Sequence, residues 1–89
     1  MSCVLIVDDE VESRTRLRTW LQAEGHVVTE AANGLDALER ARQHPPDLVV
    51  SDILMPQMDG FALCRATRSE PLFARAPFVF YTSTHTTAE

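Results

Sequence analysis

Residues 45–60 read Pro45-Pro46-Asp47-Leu48-Val49-Val50-Ser51-Asp52-Ile53-Leu54-Met55-Pro56-Gln57-Met58-Asp59-Gly60. The paired prolines block any helix that reaches them from the N-terminal side. Leu48 to Val50 are an unbroken apolar run, the pattern of a strand covered on both faces. The run leads straight into Ser51 and Asp52. A loop through Leu54 and Met58 then carries the chain to Asp59-Gly60. A helix is expected from Phe61 to Ser69, with Asp59 as its cap.

The same unit recurs on either side. Toward the N-terminus, Cys3 to Val7 is a second continuous apolar run, and it ends in Asp8, Asp9 and Glu10. From Val11 to Glu24, Leu17, Trp20 and Leu21 recur at helical spacing. They predict a core stripe, with Arg14, Arg16 and Arg18 on a solvated face. Gly25 is the expected stop. His26 to Ala31 reads as a strand. Asn33-Gly34 opens a helix whose packing face is Leu35, Ala37, Leu38 and Ala41. Toward the C-terminus, Pro71 and Pro77 bracket a connection, Phe78 to Tyr81 reads as a fourth strand, and Thr82 to Glu89 is a polar stretch whose last residues begin a further helix. Alternating strands and helices predict an α/β fold with a parallel sheet.

Composition bounds the function. The chain has 89 residues, room for one domain (residues 1–89), and it is 45% hydrophobic and 24% charged, which argues against disorder. The net charge is −5 and all basic residues are Arg, so direct nucleic-acid binding is not expected. Cys3 and Cys64 fit no metal or redox spacing. The N-terminal apolar run is too short for a signal peptide or a membrane span. Reduced thiols and a cytoplasmic location are expected.

Three of the four strands end in groups that can do chemistry: Asp8 and Asp9, then Asp52, then Thr82. Open parallel sheets bind ligands beyond the carboxyl ends of their strands. If the first, third and fourth strands are neighbours, three carboxylates and a hydroxyl converge there. Like charges so placed need a cation between them. An all-oxygen donor set suits Mg²⁺, which also neutralises an incoming phosphoryl group. Read alone, Asp8 and Asp9 could instead cap the first helix, Asp52 could be a turn residue, and Trp20 belongs in the core.

The runs Val-Leu-Ile-Val-Asp-Asp-Glu, Ala-Ala-Asn-Gly-Leu-Asp-Ala-Leu, Pro-Asp-Leu-Val-Val-Ser-Asp-Ile-Leu-Met-Pro-Gln-Met-Asp-Gly and Phe-Val-Phe-Tyr-Thr-Ser resemble, in order, the signatures of response-regulator receiver domains of two-component signal transduction. The resemblance implies a flavodoxin-like, doubly wound parallel sheet with strand order 2-1-3-4-(5). It implies that Asp52 accepts a phosphoryl group from a sensor histidine kinase or phosphotransfer protein. Asp9 would bind Mg²⁺ directly and Asp8 mostly through water, with Asp52 and the backbone carbonyl of Leu54 completing the protein ligands. Thr82 would be the switch hydroxyl, Ser83 a small residue leaving room for the phosphoryl group, and Leu54 and Thr84 positions that set its lifetime. The first helix would face the kinase, with Arg14 or Arg18 in contact. Such a module is not an enzyme beyond its own phosphorylation and dephosphorylation.

The sequence departs from the family in one respect. The family carries a Lys at the end of a fifth strand, and this sequence has no Lys and ends at Glu89, before the family's last helix-strand-helix portion; a fragment of a longer protein, or a sequence that omits residues, is expected rather than a natural loss. A receiver-like interaction scaffold that is not phosphorylated is therefore an alternative reading. A metal-dependent phosphohydrolase is a third, but that class needs an acid where this chain has Leu54. Without the missing portion, the fourth strand becomes an open edge and part of the sheet an apolar face. Self-association is the expected consequence: light scattering at high concentration should give a mass above that of one chain, and a monomer there would count against it.

Overall fold

The computed structural model describes residues 2–82. Seven elements follow in order: β1 (Cys3–Val7), α1 (Val11–Ala23), β2 (Val27–Ala31), α2 (Gly34–Gln43), β3 (Leu48–Asp52), α3 (Gly60–Arg68) and β4 (Phe78–Tyr81). The four strands form one parallel sheet in the order β2-β1-β3-β4. This is the expected α/β arrangement, with β4 as an outer strand among the described residues. The expected roles of Ser83 and Thr84, and the start of a further helix, lie outside the described residues.

Element boundaries follow local chemistry. Gly25, at φ +91°, takes the left-handed conformation that ends α1. Asn33 Oδ1 accepts the Asp36 N–H at 2.8 Å at the start of α2, and Asp59 Oδ1 accepts the Ala62 N–H at 2.8 Å at the start of α3. These are ordinary N-caps, each offsetting one unpaired helix donor. Capping by Asp8 or Asp9 is not observed. The N-cap of α1 is Glu10, and no side chain caps it.

Alternate residues of the strands serve two cores. On one face Leu5, Val7 and Val49 pack with Ala37, Leu38 and Ala41 of α2 and Leu63 of α3. On the other, Val4 and Ile6 pack with Leu17 and Leu21 of α1. Two expected core residues are instead exposed. Trp20 is 62% exposed and Leu35 62% exposed. At about 100° per residue, Trp20 lies well to one side of the Leu17–Leu21 stripe, and Leu35 well away from the Ala37, Leu38 and Ala41 face. Trp20 instead lines an open groove with Ser13, Arg16, Leu17, Tyr81 and Thr82.

The arginines of α1 are not simply a solvated face. Arg14 Nε and Arg18 Nη1 reach the two oxygens of Glu30 on β2, at 3.0 and 2.7 Å. Arg14 Nη1 also donates to the Asp8 carbonyl at 2.7 Å. One carboxylate thus ties α1 to β2, and one guanidinium ties α1 to the end of β1. Burial by itself raises the Glu30 carboxyl, but hydrogen bonds from Arg18 and Arg14 outweigh it and hold the group below its usual 4.5. A lowered acid contributes stability above its unfolded value and loses it as pH falls through the folded one. Glu30→Gln should therefore cost about 1 kcal/mol at neutral pH, the upper range for partly exposed pairs. In urea melts the difference from the parent should shrink as pH drops below 4.5; a difference that persists unchanged in acid would contradict the ion-pair account.

Candidate functional site

The sheet register explains which side chains meet. Ile6 pairs with Val50 and Val7 with Ser51, so Asp8 and Asp52 follow side by side at the ends of β1 and β3. Asp52 in turn pairs with Tyr81. Since facing residues on neighbouring strands point to the same side of a sheet, these three belong to the α1 side. Asp9 follows Asp8 in the turn before α1. The carboxylates of Asp8, Asp9 and Asp52 each offer an oxygen within 4.8 Å of the others. Asp8 and Asp52 are buried and Asp9 is exposed, so the cluster opens to solvent at one corner.

Each buried carboxylate has protein donors. Asp8 Oδ1 accepts the Glu10 N–H at 2.9 Å, and Asp8 Oδ2 accepts the Tyr81 hydroxyl at 2.5 Å. Asp52 Oδ1 accepts the Leu54 N–H at 3.3 Å. Burial pushes the Asp8 carboxyl above its usual 3.8; the Tyr81 and Glu10 hydrogen bonds oppose the rise, and the charges of Asp52 and Asp9 add to it. Burial, then the hydrogen bond to Asp8, then the charges of Asp8 and Asp52 raise the Tyr81 phenol, so it stays a donor at neutral pH. A raised acid stabilises the fold below its unfolded value and loses that contribution as pH rises through the folded one. The Asp8 carboxylate is therefore held ionised at a cost.

The loop after Asp52 is pinned from two sides. Ile53 donates to the Tyr81 carbonyl at 2.8 Å and accepts from the Gly60 N–H at 2.8 Å. A Cβ on Gly60 would stand 2.5 Å from the Asp52 carbonyl oxygen; only glycine lets α3 begin this close to the end of β3. Gln57 has φ +72°, so the loop turns through one left-handed residue that is not glycine. Leu54 is exposed at the front of this loop.

The sequence-predicted residues thus fall into two groups. Asp8, Asp9 and Asp52 are brought together. Thr82 follows directly on the Asp52–Tyr81 pair; it is exposed, on the wall of the groove beside Ser13 and Trp20. Two participants were not foreseen. Tyr81 reads from the sequence as a strand aromatic but reaches Asp8, and Arg14 reads as a surface cation but holds the Asp8 backbone. The available signal for Tyr81 was its place at the end of a strand in phase with Asp52, which becomes meaningful only once β4 is known to lie beside β3.

Comparison with known proteins agrees with this architecture. The family described as "Response regulator receiver domain" matches residues 4–89. An uncharacterized 14.6 kDa protein of Leptolyngbya boryana is 40% identical over 80 residues, which are 90% of this chain and 61% of that protein. Response regulator PleD of Caulobacter vibrioides is 37% identical over 93% of this chain and 18% of its own length. Transcriptional regulatory protein AfsQ1 of Streptomyces coelicolor is 41% identical over 76% of this chain and 30% of its own. The chain therefore spans less than two thirds of each of these relatives. Among solved structures, chemotaxis protein CheY4 of Vibrio cholerae superposes with a TM-score of 0.89 at 33% identity, covering 98% of this chain and 72% of that one. The sheet order, the paired strand-end carboxylates and the match over nearly the whole length converge: this chain belongs to the response-regulator receiver domain family.

Proposed function

We propose that the chain is a phosphoacceptor module of a two-component system, in which Asp52 takes a phosphoryl group from a histidine kinase or phosphotransfer protein. The observation that carries this reading is the convergence of Asp8, Asp9 and Asp52 within 4.8 Å at the carboxyl end of the sheet. In the step itself an Asp52 carboxylate oxygen forms a bond to phosphorus. The phosphorus–nitrogen bond of a phosphohistidine breaks, and its electron pair leaves with the imidazole nitrogen, which takes up a proton. Such transfers are mostly positioning and charge neutralisation.

The donor set fits Mg²⁺. All the donors are hard oxygens, and three close carboxylates favour a small divalent cation. On this reading Asp8, Asp9, Asp52 and the Leu54 carbonyl would hold it, and when bound it would supply the positive charge that the incoming phosphoryl group needs. This chain's own residues do the rest. Burial of Asp52 excludes water from one side, the Leu54 N–H orients its carboxylate, and the Gly60 contact fixes the backbone behind it. Thr82 serves as the switch hydroxyl in this proposal.

A cytoplasmic location and a partner that docks beside α1 belong to the same proposal, as does self-association of the chain. No helix among the described residues is long and apolar enough to cross a membrane. The scaffold alternative rests on the absence of a Lys, not on the arrangement of Asp8, Asp9 and Asp52. The phosphohydrolase alternative lacks its second acid, because Leu54 stands at that place.

Intact-mass spectrometry after incubation with Mg²⁺ and acetyl phosphate tests the proposal. The chain should gain one phosphoryl group, and Asp52→Ala should gain none. Equal modification of both would remove Asp52 from its role. No modification of either, where a control receiver is modified, would favour the scaffold.

A further inference from the structure

Asp8 has no exposed surface, and both of its oxygens have protein donors. Its two oxygens are gripped separately, Oδ1 by the Glu10 N–H at 2.9 Å and Oδ2 by the Tyr81 hydroxyl at 2.5 Å. The first donor is local, two residues along the chain. The second comes from another strand 73 residues away, and it reaches Asp8 because β4 lies beside β3 and Tyr81 pairs with Asp52. Two donors from different directions fix a carboxylate plane where one would leave it free to rotate. The Tyr81 bond has the short length of a hydroxyl bound to an ionised acceptor.

The ring makes the contact specific. Tyr81 lines the same groove as Leu17 and Trp20, and its carbonyl accepts the Ile53 N–H at 2.8 Å. The backbone that pins the loop beyond Asp52 and the side chain that holds Asp8 therefore belong to one residue. Moving the end of β4 would move both.

From this geometry we infer that Tyr81 is a positioning residue for the metal site, fixing the Asp8 carboxylate through its hydroxyl and tying that orientation to the end of β4. The inference rests on the proposed metal-dependent function. Partners that orient a ligating carboxylate typically contribute tenfold or more to metal affinity. A phenylalanine at this place would keep the ring and the packing but leave Asp8 Oδ2 without its donor.

The test is a binding measurement on the full chain without any phosphodonor. Mn²⁺ is titrated and the free ion read by electron paramagnetic resonance, with Mg²⁺ as competitor. Tyr81→Phe should weaken both ions by roughly tenfold. In an Asp8→Asn background the same change should have less than a twofold effect, since the carboxylate it orients is gone. Equal affinity in Tyr81→Phe and the parent would overturn the inference and leave the metal site standing. So would an equal loss in both backgrounds, which would mark a general disturbance. A parent chain that binds neither ion would overturn the metal reading and this inference with it. A second readout needs no variant at Tyr81. The phenolic carbon resonance of Tyr81 in the parent chain should shift on Mg²⁺ addition with the same midpoint as binding, and a resonance that does not move while the metal binds overturns the inference.

Discussion

Three carboxylates with oxygens inside 4.8 Å of one another set the terms for the rest of this molecule. Two of them are buried, where water screens their repulsion poorly. The fold holds them there because β1 and β3 are adjacent, parallel and in register to their last residues. Donors around them include the Glu10 N–H and the Tyr81 hydroxyl on Asp8, and the Leu54 N–H on Asp52. Arg14 is bound to the same strand end through the Asp8 carbonyl and to Glu30 of β2. The charge of Asp8 is thus costly where it sits, beside Asp52 and Asp9, a cost that a bound cation would relieve.

Scaffold and site share their supports. The β1 core of Val4 to Val7 is buried to the last residue before Asp8, so the first carboxylate is delivered by the most completely buried strand of the sheet. Asp52 is delivered by β3, with Gly60 closing on its carbonyl from behind. The Arg14–Glu30–Arg18 cluster fixes α1 to β2 and, through the Asp8 carbonyl, to the site itself. Residues that look like surface electrostatics therefore also set the position of the acid pair. Tyr81 adds a link from β4, the strand that leads into Thr82.

Much of this was legible in the sequence. Continuous apolar runs marked β1 and β3, because strands buried on both faces need no alternation. Asn33-Gly34 announced a helix start, Asp59 announced a cap, and Gly25 announced a stop. The three acids were legible because each ends or follows a strand. What was not legible depended on azimuth or on pairing. Trp20 and Leu35 have the right residue type for a core and the wrong angle on the helix, and periodicity over one or two turns does not resolve that angle. Arg14 and Tyr81 depend on partners 16 and 73 residues away, and no local pattern encodes such a distance before the strand order is known.

The central claim is that the cluster is strained by its own charge and awaits a cation. The most direct measurement is the urea unfolding free energy of the parent chain and of Asp52→Asn at neutral pH, each with and without Mg²⁺. The account predicts that Asp52→Asn is the more stable of the two without metal, that Mg²⁺ stabilises the parent, and that most of this stabilisation disappears in the variant. A parent whose stability ignores Mg²⁺, together with a variant less stable than the parent in its absence, would contradict it.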